Sequence, residues 1–306
     1  MILGIDIGGT TIKFGIVTEK GEILATERHD TLENTETSGD FINLLIDISK
    51  KFIASYPHIK GIGVGVPGQL SLDRSTLVQA NNLGSLNGTK IVPLLKNAFP
   101  DLIVRLENDA NCTALGEMYF GGHDKDDVIM IALGTGVGGG VIVHRKLFIG
   151  AKGNAGEVGF LVVGPKRQVL ENYLGQRHLT NYVKKELSKP ENLDNPLNDI
   201  PKLSVESVFN AAKDGNLLAI KVWEYVGELI GETLVGLAHS FDVTKFIIGG
   251  GVGKAFELFK DSAEKTALSY FSSYYSETFE FLPAGCEEDT GLIGAASLVI
   301  NELEDF

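Results

Sequence analysis

Apolar residues first recur at every second position. Residues 2–7, 12–18 and 22–28 are short, β-branched, partly alternating runs separated by Gly-Gly and Glu-Lys-Gly, which predicts an antiparallel meander. The period then lengthens. Phe41, Leu44, Leu45, Ile48, Phe52 and Ile53 recur at helical spacing between Ser38 and Pro57, so a helix is expected there. A strand from Gly61 to Val66 stops at Pro67-Gly68, and a short helix near 91–98 and a strand at 102–107 follow. After Glu107-Asn108 the pattern predicts a helix from Asp109 to Phe120, stopped by Gly121-Gly122.

The second half repeats the opening theme. Val128 to His144 reads strand, glycine-threonine turn, strand, much like residues 2–18. Helices are expected at 204–213 and 216–241, a strand at K-F-I-I (245–248), a helix through the 250s and 260s, and a last helix from Asp289 to Leu303. Residues 187–202 carry three prolines and several Asn/Asp, which predicts an exposed loop without regular structure. Two occurrences of strand, glycine turn, strand suggest two related lobes facing each other over a cleft, the first ending at 108 and the second running from 109 to 290.

Composition narrows the function. With 306 residues, 43% of them hydrophobic, the chain can bury a large core and has length for about two domains. Forty acidic against 27 basic residues give a formal charge of -13, and no basic stripe offsets it, so no nucleic-acid partner is expected. Met1 leads straight into a strand, and no apolar run approaches a membrane span, so no membrane partner and a cytoplasmic location are expected. Cys112 and Cys286 form no C-x-x-C pair and read as two buried thiols. The six histidines form no H-E-x-x-H or Cys/His cluster, so any catalytic metal is expected to arrive with its ligand.

Candidate chemistry gathers at the glycine turns. Asp6 interrupts an apolar strand in L-G-I-D-I-G-G-T-T-I-K, and two readings are open: glycines at positive φ closing a tight hairpin, or a cradle of backbone N–H groups and hydroxyls for phosphate. Gly134, Gly136 and Gly139 fit G-x-G-x-x-G, but a strand follows where the dinucleotide motif requires a helix. A Walker A loop has no match, since Lys254 is followed by Ala255 and Ile248 stands at the place of the first glycine.

Taken together, D-I-G-G-T-T-I-K (6–13), D-A-N-C-T-A-L-G-E (109–117), L-G-T-G-V-G-G-G (133–140), F-I-I-G-G-G-V (246–252) and G-L-I-G-A-A (291–296) resemble, in order, the motifs of the ROK sugar kinases, the glucokinase-like branch of the actin-type ATPases. The resemblance covers essentially the full chain. It implies an α/β, two-lobed ribonuclease H-like or actin-like ATPase fold, with mixed sheets flanked by helices and a helix at 291–306 returning to complete the first lobe. It also implies ATP with Mg²⁺. Asp109 matches the general base that accepts the sugar hydroxyl proton, though a helix-capping role alone is also open. Asp6 would hold magnesium through water. Gly8, Gly9, Thr10, Thr11, Lys13, Gly134, Thr135, Gly136, Gly250 and Gly251 would contact the nucleotide. Gly68, Asn82, Asn108, Glu157 and Glu171 would contact the sugar, and family members are commonly homodimers.

The chain departs from the family in one place. Where relatives read G-E-x-G-H followed by a C-x-C-G-x-x-G-C zinc loop, this sequence reads G-E-V-G-F-L-V-V-G-P-K-R-Q-V-L-E: Phe160 replaces the histidine and every loop cysteine is missing. No structural zinc is expected, and a phenyl ring cannot donate to a sugar hydroxyl. The leading expectation is a glucose kinase. The alternatives are another acceptor (fructose, mannose or N-acetylmannosamine), polyphosphate as donor, or a non-catalytic sugar-sensing regulator without the helix-turn-helix domain of repressors sharing this fold.

Overall fold

A computed structural model describes residues 1–31, 37–80, 82–122, 127–286 and 289–304. In chain order the elements are β1 (Ile2–Ile7), β2 (Thr11–Val17), β3 (Ile23–Asp30), α1 (Ser38–Ser55), β4 (Gly61–Val66), β5 (Gln69–Leu70), β6 (Leu77–Gln79), α2 (Ile91–Ala98), β7 (Ile103–Asn108) and α3 (Asp109–Phe120). There follow β8 (Val128–Leu133), β9 (Val137–Val143), β10 (Lys146–Leu147), β11 (Val162–Val163), β12 (Gln168–Val169), α4 (Glu171–Leu174), α5 (Gln176–Leu187), α6 (Val205–Lys213) and α7 (Leu217–Phe241). The chain closes with β13 (Lys245–Gly249), α8 (Gly250–Gly253), α9 (Phe256–Tyr270), α10 (Ser273–Ser276), β14 (Glu280–Pro283) and α11 (Thr290–Glu304).

Two compact units result. The first comprises residues 1–126, 140–156 and 285–306, and the second 127–139 and 157–284, so α3 stays with the first unit beyond the break expected at 108/109. The first sheet runs β3-β2-β1-β4-β7, with β1, β4 and β7 parallel. The second runs β10-β9-β8-β13-β14, the same order for its corresponding strands. That shared order is the structural form of the repeat visible in the sequence.

Alternation along β1 decides where Asp6 points. Leu3, Ile5 and Ile7 join the core that includes Phe41, Leu45 and Phe52 of α1. Ile2 belongs instead to a core with Leu292, Ala296, Val299 and Ile300 of α11, so Asp6, in phase with Ile2, lies on the α11 face. Glycines make that face shallow enough for a helix backbone. A Cβ at Gly4 would come within 2.6 Å of Leu292 O, and one at Gly63, beside Gly4 in the sheet, would collide with Ala295 O.

In the second unit α7 packs on α9, where Trp223 stacks on Phe259 at 6.1 Å between centroids. Residues 187–202 are more ordered than expected: Pro190–Asn192 and Pro196–Asp199 are 3₁₀ turns with proline at the start of each, where a missing N–H costs nothing. Both cysteines are free, but only Cys112 is buried, and Cys286 is half-buried. Among the described residues no helix is long and apolar enough to cross a membrane.

Candidate functional site

The first site belongs to the first unit. Asp6 stands opposite Lys13 on β2 and beside Gly65 on β4, and Gly65 in turn pairs with Glu107 on β7. Asp6, Gly65 and Glu107 therefore line up at the carboxyl ends of three parallel strands, where open α/β sheets place their ligands. Between Asp6 and Lys13 the chain turns at Gly8–Thr11, with Gly8 N donating to Thr11 O at 2.9 Å. Thr31, fully buried just past the end of β3, clamps this turn: its Oγ1 donates to Gly8 O at 2.8 Å and its N to Thr10 O at 2.9 Å. Gly8 and Gly9 do close the hairpin between β1 and β2, but neither has a positive φ, so a left-handed backbone is not what calls for glycine here. A Cβ at Gly9 would meet nothing within 4 Å, and the turn is open on that side.

Asp6 is buried beside one cation and two further carboxylates. Its pKa is pushed up to about 6, first by burial and then by Asp109 and Asp289, against the opposing pull of Lys13. Lys13 Nζ is held by Asp289 Oδ1 at 2.7 Å, and Arg28 lies 3.5 Å from the same oxygen. Gly291, in the first turn of α11, is where a Cβ would come within 2.7 Å of the Asp6 carboxylate. Among the described residues no three His, Cys, Asp or Glu gather as a ready metal cage. One carboxylate, with the inner coordination sphere of the ion left largely to water, is what Mg²⁺, which sheds its hydration reluctantly, accepts.

Asp109 opens α3. Asn108 caps that helix, its Oδ1 accepting from Ala110 N at 2.9 Å and Asn111 N at 3.3 Å, while its Nδ2 donates to Gly68 O at 3.3 Å. Burial raises the Asp109 pKa, opposed by hydrogen bonds from the backbone of Ala110 and Asp109 and from the Asn108 side chain. Beneath this pair the buried Glu107 accepts from Asn108 N at 2.7 Å and Asn111 Nδ2 at 3.0 Å through Oε1, and its Oε2 lies 3.0 Å from Arg74 Nε. The structure thus brings together Asp6, Lys13, Gly68, Asn108 and Asp109. Asn82 is exposed on the segment after β6.

The remaining predicted residues lie in the second unit. Gly134–Gly136 joins β8 to β9, with Gly134 N donating to Gly136 O at 2.9 Å and Thr135 exposed at its tip. Glu171, at the start of α4, points at this turn: its Oε2 accepts from Val137 N at 2.9 Å, and a Cβ on Gly136 would strike it. The Gln176 N–H, at the head of α5, donates to Gly134 O at 3.1 Å. Gly250 has φ +82 and approaches Leu133 O so closely that a Cβ would collide, which brings Gly250 and Gly251 alongside the end of β8. Glu157 is exposed, as is Phe160. A separate cavity of about 240 Å³, lined among others by Lys166, Tyr173, Tyr182 and Tyr225, contains none of the predicted residues.

A sequence profile of the ROK family matches residues 2–302. The chain belongs to the ROK family. Its relatives include the glucokinase of Thermotoga maritima, 29% identical over 97% of this chain and 96% of the relative. A xylose repressor of Caldicellulosiruptor bescii is also 29% identical and covers the whole chain, which spans 79% of that protein. Among solved ROK-like structures, a ROK family glucokinase from Streptomyces griseus in complex with glucose and AMPPNP superposes with a TM-score of 0.78 at 30% identity, covering 97% of this chain and 98% of that one. A candidate sugar kinase from Cytophaga hutchinsonii reaches 0.92 at 39% identity over 98% of this chain and 99% of that one. The actin-like α/β fold expected from the ROK motifs is the fold observed, with mixed sheets flanked by helices.

Three residues of the site escaped the sequence reading. Thr31, Arg74 and Asp289 act through partners 23, 33 and 276 positions away in sequence, respectively Gly8, Glu107 and Lys13, and nothing in their own neighbourhoods marks them. The left-handed backbone of Arg74 and Asp289 is equally invisible without coordinates.

Proposed function

We propose that the chain is an ATP-dependent hexose kinase that transfers the γ-phosphate to a sugar hydroxyl, with glucose the preferred acceptor. The observation that carries this reading is the adjacency of two carboxylates with raised pKa, Asp6 and Asp109, at the carboxyl ends of the parallel strands. Phosphoryl transfer needs those two roles, a base for the acceptor hydroxyl and an anchor for the metal on the phosphates. Asp109 is the base: burial moves its pKa toward neutrality, and the α3 N-terminus holds it in place. Asp6 would hold Mg²⁺, which when bound neutralises phosphate charge. Thr10, Thr11, Thr135 and the backbone of both glycine turns receive the phosphates, and Lys13 reaches them from its pair with Asp289. Gly250 and Gly251 lie along the adenosine. Asn82, Asn108, Glu157 and the Gly68 backbone read the sugar hydroxyls. Glu171 is assigned to the sugar as well, through the carboxylate oxygen that Val137 N does not hold.

Similarity to glucokinases over nearly the full chain supports glucose. The equally long similarity to a xylose repressor supports a second reading, a sugar-binding regulator without turnover. A coupled assay over a panel of hexoses, acylamino sugars and xylose, with ATP and polyphosphate as donors, decides between them. The kinase reading expects the highest kcat/KM with glucose and MgATP. Sugar binding by calorimetry with no turnover on any member of the panel establishes the regulator reading instead.

A further inference from the structure

Arg74 belongs to none of the glycine motifs. It sits in the turn S-L-D-R-S-T, closed by Ser71 N to Thr76 O and Arg74 N to Ser71 O, both at 2.9 Å. Its φ is +54, a left-handed conformation that a residue with a Cβ takes only at a cost and that glycine takes freely. An arginine there is compensated through its side chain.

That side chain is 15% exposed and spans two partners. Nε lies 3.0 Å from Glu107 Oε2, an ion pair in which the N–H makes no directed hydrogen bond, and Nη2 donates to Gly153 O at 2.7 Å. Gly153 is itself left-handed, and a Cβ on it would come within 3.2 Å of Nη1, closer than a side chain is normally tolerated. The other Glu107 oxygen holds Asn108 N and Asn111 Nδ2, the first turn of the helix that Asp109 begins. One guanidinium therefore joins the 71–76 turn, the root of the helix bearing Asp109, and the segment that runs from Gly153 directly into Glu157.

We propose that Arg74 is a positioning residue for the sugar side of the site, holding Asn108 and Asp109 in register with the 150–156 segment. This rests on the reading of Asp109 as base and Glu157 as sugar ligand. Physically, Glu107 is a buried carboxylate that needs a countercharge; without one it loses its hold on Asn108 and Asn111, and the Gly153 carbonyl loses its tether. The Gly8–Thr11 turn is held by its own backbone and by Thr31, not through the clamp, so nucleotide affinity is expected to be spared.

Arg74→Gly tests this directly, because it relieves the left-handed backbone while removing the guanidinium. Arg74→Gly combined with Glu107→Gln also removes the stranded charge, so a folding defect is separated from a lost clamp. Expected in both are faster hydrogen–deuterium exchange at 150–156, a hexose KM about tenfold higher, and kcat/KM about 10²-fold lower, the scale of a misplaced reacting group; exchange at 107–111 should rise in the single variant and less in the double, where an amide oxygen still accepts from Asn108 and Asn111. The ATP KM should stay within about twofold, and Arg74→Lys, which keeps the charge but not the second arm, should fall between. An active wild-type enzyme whose Arg74→Gly variant matches it in exchange or in hexose kinetics overturns this inference alone. A wild-type chain inactive on every hexose, whose variant nevertheless loosens both segments, overturns the kinase reading and the role of Arg74 with it.

Discussion

Asp6 carries an energetic burden from its burial. Raising its carboxyl from 3.8 to about 6 disfavours the ionised form by about 3 kcal/mol. The sign follows from proton binding. Between pH 4 and 6 the folded chain keeps a proton that the unfolded chain has lost, so stability falls as pH rises through this window and stays lowered above it. Asp6→Asn should therefore raise the melting temperature by a few degrees at pH 7.5, with the gain vanishing near pH 4, while kinase activity is lost. A thermal-shift series over pH reads this; an unchanged or lower melting temperature at pH 7.5 would contradict the burial argument. Asp109→Asn separates chemistry from binding, because the amide keeps the shape but accepts no proton. Turnover should fall by roughly 10³-fold with glucose affinity by calorimetry little changed, and a variant retaining its rate would place the base elsewhere.

Helices and strands were legible where pattern and punctuation agreed. Asp109–Phe120 matches its expected span because Asn108 caps one end and Gly121 stops the other, and β4 ends where Pro67 requires. The edge strand β14, Glu280–Pro283, is not legible in the pattern: among the described residues it pairs with β13 alone and carries Glu and Pro, with no alternation to betray it. In the 187–202 segment proline predicts a break, yet at the first position of a 3₁₀ turn it is a starter. The local parts of the candidate site, Asp6, Asp109 and the glycine turns, stand out in the sequence for the same reason, while Thr31, Arg74 and Asp289 are connected to it only through distant partners. Close helix-on-sheet contact is testable at this scale. Gly63→Ala places a methyl against the Ala295 carbonyl and should destabilise the fold by about 1–3 kcal/mol in chemical denaturation; a neutral effect would mean that α11 can lift from the sheet without penalty.

The whole molecule is threaded so that its two ends meet in one unit: β1 opens the chain, α11 closes it, and the two share a core of Ile2, Leu292, Ala296 and Val299. Removing residues 290–306 should leave the first unit unable to fold cooperatively, lowering its melting transition by far more than any point substitution above. Calorimetry on the truncated chain checks this, and two undiminished transitions would refute it. The position of Gly291 against the Asp6 carboxylate adds a consequence for sequence drift. A methyl at 291 would have to push that carboxylate aside or lift the first turn of α11, so the place favours a bare hydrogen, and Gly291→Ala should disturb the acid even where the rest of the helix packs undisturbed.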